Sequence, residues 1–66
     1  NDLTRGAATI VDIVEKSGRT DKMELYKQLF RTMSYRDFEL SLTSSIQSGF
    51  VVQMQEGDKL VLRPKR

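Results

Sequence analysis

The side chains that could do chemistry in this chain are almost all Lys, Arg, Asp and Glu, which make up 30% of the 66 residues. Histidine and cysteine are absent. Their absence removes imidazole acid–base catalysis, thiol nucleophiles, disulfides and nearly every zinc site. Carboxylates do occur at helical spacing, Asp12 with Glu15 and Asp21 with Glu24. Such pairs are more often surface or capping residues than an acid and its base. Gly-rich phosphate loops are missing. A chain this short also leaves little room for a pocket of ~300 Å³. The expectation is a domain that is not an enzyme and takes no cofactor or metal.

The cations are distributed unevenly. Lys16, Arg19, Lys22, Lys27, Arg31 and Arg36 meet only Asp21 and Glu24 over residues 16–36. From Asp37 to Asp58 there are four acids and no base, and from Lys59 to Arg66 four bases and no acid. The net charge is only +2. A fold that joins the two basic segments makes a positive face of the kind that attracts phosphate. Left apart, they are ordinary solvated charges.

These side chains need a scaffold. A chain of 66 residues makes one domain, spanning 1–66, and buries only ~60% of its unfolded surface, so its stability is marginal. No apolar run approaches the ~20 residues of a membrane helix, and no signal-peptide pattern precedes Asp2 and Arg5. The expected location is the cytoplasm, at the nucleoid in a bacterium or archaeon. The first residue is not Met, so the chain reads as a piece of a longer protein.

Leu3, Ala7, Ile10, Val11 and Val14 form one stripe of a first helix, capped by Asp2 or Thr4 and ended by Gly18. A short extended link follows at Arg19 and Thr20. Asp21 opens a second helix, with Glu24 as an approximate capping box. Leu25 and Leu29 form its apolar line, widened by Tyr26, Phe30 and Met33. After the turn Thr32-Met33-Ser34, Ser34 caps a third helix from about Tyr35 to Ser48. Its inner line is Phe38, Leu42 and Ile46, with the small Ser41 and Ser45 beside it. Phe30, Phe38 and Phe50 are expected in the core, and Tyr26 and Tyr35 at its edge.

Gly49 ends the third helix, and two alternating stretches around Glu56-Gly57-Asp58 predict a β-hairpin. Phe50, Val52 and Met54 point one way, Val51, Gln53 and Gln55 the other. Placing Met54 opposite Leu60 and Val52 opposite Leu62 keeps all four on the core side and predicts a three-residue loop, or a longer one that preserves this parity. A two-residue turn at Gly57-Asp58 would turn Leu60 and Leu62 outward. Pro64 ends the last strand.

The order of helix, short strand, helix, turn, helix and hairpin resembles the winged helix-turn-helix fold, an α+β class. The resemblance is carried by Ile10-Val11-x-x-Val14, by Met23-Glu24-Leu25-Tyr26-Lys27-Gln28-Leu29, and by Ser34-x-x-x-Phe38-x-x-x-Leu42-x-x-x-Ile46-x-x-Gly49-Phe50. It implies three helices followed by a two-stranded hairpin wing, in a transcription regulator or a domain of a replication or mobile-element enzyme. In most of that family the third helix enters the DNA major groove. Removing the core line leaves Arg36, Leu40, Thr43, Ser44 and Gln47 on the opposite face. Arg can grip guanine, Gln adenine, Ser and Thr either, and Leu a thymine methyl. Phosphate contacts would come from Arg19, Lys22, Lys27 and Arg31, and from Lys59 and Arg63 on the wing. Glu56 and Asp58 at the wing tip argue against deep minor-groove insertion.

The second reading is a winged helix that binds protein or itself. An exposed Leu40, and Val51 and Val61 on the outer side of the hairpin, would supply an apolar patch. Four of the five third-helix positions are polar, which favours double-stranded DNA as the partner.

Overall fold

Helix α1 spans Arg5–Ser17, strand β1 Thr20–Asp21, α2 Lys22–Leu29, α3 Tyr35–Gln47, β2 Val51–Glu56 and β3 Lys59–Pro64. The computed structural model describes residues 4–65, so Leu3 of the first stripe, the alternative cap Asp2, and Arg66 lie outside the described residues. No helix among the described residues is long and apolar enough to cross a membrane.

The helix boundaries follow local chemistry. The Thr4 side chain accepts from the Ala7 N–H at 3.1 Å, Asp21 from Met23 at 2.9 Å, and Ser34 from Asp37 at 3.1 Å. Each satisfies an N–H that has no partner within the helix. Gly18 ends α1 at φ +78°, and Gly49 follows α3 at φ +83°, conformations that disfavour any residue with a Cβ.

Ile10, Val14, Leu25, Leu29, Phe38, Leu42, Val51 and Leu62 share the core, with Ile13, Tyr26, Met33 and Ile46 packed at its margin. Phe38 is wholly buried, and its ring lies 5.0 Å from that of Tyr26. Tyr35 meets Tyr26 edge to face at 5.1 Å. These three rings join α2 to α3.

The sheet has three antiparallel strands in the order β1-β3-β2. The link after α1 is therefore more than a connector. Thr20 pairs with Leu62 and Asp21 with Val61, which makes it the third strand of a sheet expected to have two.

The hairpin register also differs from expectation. Glu56 faces Lys59, so the loop is the two-residue turn Gly57-Asp58, and Met54 faces Val61. Gly57 has φ +62° while Asp58 does not enter the positive region. That is the pattern of a turn with Gly in first place, whose twist suits a hairpin. In this register Val51 and Leu62 are buried on the inner face, while Val52 and Met54 are about 40% exposed on the outer one. Val51 is thus a core residue, not an outer patch. Val61 is on the outer face but also buried, because it sits on the central strand between Asp21 and Met54. Leu60 shares the inner side and is half-buried. Gly-Asp turn chemistry prevails over the apolar pattern because residues 52–59 are all exposed and have no core to face.

Two aromatic residues leave the expected core. Phe30 caps the C-terminus of α2 and is 54% exposed, because the helix ends at Leu29 and the chain turns away. Phe50 precedes β2 and is also exposed.

Phe38→Ala should cost ~3–5 kcal/mol, enough to unfold much of a domain this small, as read by urea denaturation. The register has its own check. Val51→Ser should cost ~2 kcal/mol and Val52→Ser well under 1 kcal/mol. The reverse ranking would restore the three-residue loop.

Candidate nucleic-acid interface

The geometry of α3 is set by its contact with α1. Ser45 is fully buried and its hydroxyl donates to the Ser41 carbonyl at 2.9 Å and lies 3.3 Å from that of Ala7. A Cβ placed on Gly6 would lie 2.5 Å from Ser41 Oγ. The small residues Gly6, Ala7, Ser41 and Ser45 therefore let the two helices approach closely, and Phe38 and Leu42 turn inward beside them.

This fixes the opposite face. Arg36, Leu40, Thr43 and Gln47 are exposed and Ser44 is half-buried. The five expected base readers lie together on one stripe of α3, and none is buried in the domain's own core. The stripe carries a guanidinium, a carboxamide and two hydroxyls, which can meet donor and acceptor edges. Leu40 also lines a groove of about 550 Å³ between the start of α1, the α2–α3 turn and α3. Arg5, Leu29, Met33 and Asp37 contribute to the same walls. The groove exceeds the pocket size that the chain length led one to expect, and no spacing in the sequence announces it.

Glu39 flanks the stripe and is turned toward α2. Lys22 Nζ donates to Glu39 Oε2 at 2.8 Å, and the Tyr35 hydroxyl donates to the same oxygen. The hydrogen bond to Lys22, reinforced by that to Tyr35, holds the Glu39 carboxyl below its usual range. The bond to Glu39 raises Lys22 against the opposing effect of burial, and it raises Tyr35 as well. With only 17% of its side chain exposed, Lys22 is committed to this clamp between α2 and α3.

The other expected phosphate ligands are differently placed. Arg19 pairs with Glu56 across the sheet, Lys27 with Glu24 at 3.3 Å, and Lys59 with Asp21 at 3.9 Å. All three cations are well exposed, and exposed pairs are worth only ~0–1 kcal/mol. A phosphate can displace them at little cost. The Arg31 guanidinium lies 5.6 Å from the centre of the Phe30 ring. Arg63 is exposed on β3 opposite Val52 and makes no ion pair among the described residues. Lys65, one of the four bases of the last segment and expected to fray with Pro64 and Arg66, is instead tied by its backbone N–H to the Phe50 carbonyl at 3.1 Å. That puts it at the C-terminal end of α3. No group of three potential metal-ligating side chains forms among the described residues.

The clamp makes stability depend on pH. Glu39 is depressed, so its contribution is present above the unfolded value of about 4.3 and lost as pH falls through the folded one. Lys22 and Tyr35 are raised, so theirs is present below about pH 10 and lost as pH rises through the folded values. Glu39→Gln should cost about 1 kcal/mol at neutral pH and should weaken the acid limb of stability in urea melts between about pH 3 and 7. An unchanged acid limb would show that the clamp contributes nothing.

No family model, curated protein or solved structure matches this chain.

Proposed function

We propose that this domain binds duplex DNA as a winged helix, with α3 in the major groove. The observation that carries the proposal is the stripe of exposed Arg36, Leu40, Thr43 and Gln47, with half-buried Ser44, on the side of α3 opposite its packing against α1. A helix 13 residues long spans about 20 Å and fits a groove ≈ 12 Å wide when it crosses at an angle. Arg36 and Gln47 serve as the bidentate readers, of guanine and adenine respectively. Thr43 and Ser44 are short enough to let the backbone come close.

The phosphate grip comes from both ends of that stripe. Arg31 and Lys27 stand before α3, and Arg63 and Lys65 beside its end. Lys22 positions α2 through Glu39 and leaves phosphate binding to the others. The β2–β3 hairpin serves as the wing. Arg19 and Lys59 flank it, and the Arg19–Glu56 pair ties the tip end of the hairpin to the segment before β1. With Asp58 in the turn, the wing lies along the backbone and does not enter the minor groove. A domain of this kind serves a transcription regulator or a replication or mobile-element protein by holding it at a site.

A second reading, docking on a partner protein, is favoured by one observation: the groove beside Leu40, which is 62% exposed. The two readings separate in a salt titration against random duplex DNA. Binding should weaken with a log–log slope of about −0.9 per phosphate contact, so several contacts give a steep line. Arg36→Ala should lose ~1–3 kcal/mol on a selected site and little on random sequence. Arg63→Ala should weaken all sequences alike. No binding at ~50 mM salt would leave protein docking as the function.

A further inference from the structure

We propose that β2 is a self-association edge, through which two copies of this chain join antiparallel into a continuous sheet. This does not rest on DNA binding. Among the described residues β2 is the outer strand of the sheet, paired only with β3. The Phe50 carbonyl accepts from the Lys65 N–H, and Glu56 faces Lys59 across the two-residue turn. In an antiparallel ladder hydrogen-bonded pairs alternate with non-bonded ones. Val52, Met54 and Glu56 therefore direct their backbone groups to β3, and Val51, Gln53 and Gln55 direct theirs to the open edge.

The features that normally protect an edge are missing. Between Val51 and Gln55 there is no Lys, Arg, Asp, Glu or Pro, where natural edge strands place charges or proline against pairing. Glu56 closes the segment and is already engaged by Arg19. The other edge, β1, has two residues and is too short to serve.

The occupant that fits is a second β2. With the two-fold axis through Gln53, Gln53 faces its own copy and Val51 faces Gln55. Residues with outward backbone groups then meet their like, each bonded pair exchanging two hydrogen bonds. The same register sets Val52 against Met54 of the other copy, on the outer face where both are about 40% exposed. Val52 and Met54 thereby continue from one copy into the next, beside Val61. The segment is uncharged, so two copies meet without repulsion, and a charged peptide gains nothing from it. A strand edge this short falls below the ~1,200 Å² of a stable complex. Association is consequently weak, with a Kd in the range of ~10 μM to 1 mM.

Sedimentation equilibrium of the 66-residue chain over roughly that range tests this. The mass should rise toward that of a dimer. In parallel, the amide resonances of Gln53 and Gln55 should shift with concentration while those of Val52 and Met54, already bonded to β3, move less. Gln53→Pro removes an outward N–H and no bond to β3, and Met54→Lys puts a charge into the strip. Both should stay monomeric, and far-UV circular dichroism checks that they fold. Should proline at 53 disturb the strand, Met54→Lys decides alone, because its site is solvent-exposed. A mass that stays monomeric overturns the proposal and leaves the edge for another partner. A dimer that survives Met54→Lys, or one that leaves the Gln53 and Gln55 amides unmoved, also overturns it by placing the interface elsewhere.

Discussion

The outward face of α3 takes its position from the close crossing of α1 and α3. Gly6 and Ala7 on one helix meet Ser41 and Ser45 on the other, and a single added Cβ at Gly6 would collide with Ser41 Oγ. This contact rotates α3 so that Phe38 and Leu42 enter the core. The Arg36–Gln47 stripe is the geometric remainder of that rotation. A larger side chain in the crossing would have to separate the helices or turn α3 about its axis. Either movement changes which residues face outward. The buried hydroxyl of Ser45 adds direction, since it bonds backward within α3 and reaches the α1 carbonyl.

The helices were legible because several independent signals agree on each. For α3, the Ser34 cap, the Phe38–Leu42–Ile46 spacing and the closing Gly49 give the same boundaries. For α1, Thr4 and Gly18 bracket the apolar stripe. The hairpin was legible as a hairpin but not in its register. The expectation that Val52, Met54, Leu60 and Leu62 share the core side assumes a core beneath the whole strand. Only Val51 and Leu62 have one. Beyond them the turn decides, and Gly57-Asp58 is already a complete two-residue turn. The link after α1 was legible as a short extended segment, but its place as a third strand of the sheet was not, for another reason. Thr20 and Asp21 carry no alternation, and their pairing depends on where β3 comes to lie. Of the candidate site, the stripe on α3 was readable from spacing alone. The commitment of Lys22 was not, because it depends on Glu39, 17 residues further along the chain.

Charge in this molecule is arranged more by pairing than by sum. Most of the expected phosphate ligands already face a carboxylate, but in two distinct ways. The Lys22–Glu39 pair is sheltered and shares a tyrosine hydroxyl. Breaking it would strand a half-buried ammonium, so it acts as structure. The pairs of Arg19, Lys27 and Lys59 are open to water, and their strength is close to what hydration alone provides. They keep cations near the surface without fixing where those cations point. A polyanion can draw on the second group and not on the first. The basic segments seen in sequence thus divide into a joint between α2 and α3 and a set of exchangeable contacts around them.

The turn that sets the hairpin register also decides what the domain shows to other molecules. One more residue between Glu56 and Lys59 would exchange the two faces of one strand relative to the other. Met54 and Val52 could then join the side of Leu62, and the outer face would be Gln53 and Gln55, a polar edge of an ordinary kind. As built, the strand sends its carboxamides to the side of Leu60 and Leu62, where they stay exposed and Gln55 donates to the Gly57 carbonyl at 3.3 Å, and its apolar side chains outward beside an open ladder. For a chain with so little core this arrangement forgoes burial it could use. Phe30 and Met23 are also exposed, but they stand singly on a helix end and a helix flank, as solitary apolar side chains do on most surfaces. Val52 and Met54 differ because they are neighbours on one face of one edge strand. Backbone and side chains there offer the same invitation: Met54 faces the buried Val61 on the central strand, yet it and Val52 stay about 40% exposed beside the open ladder.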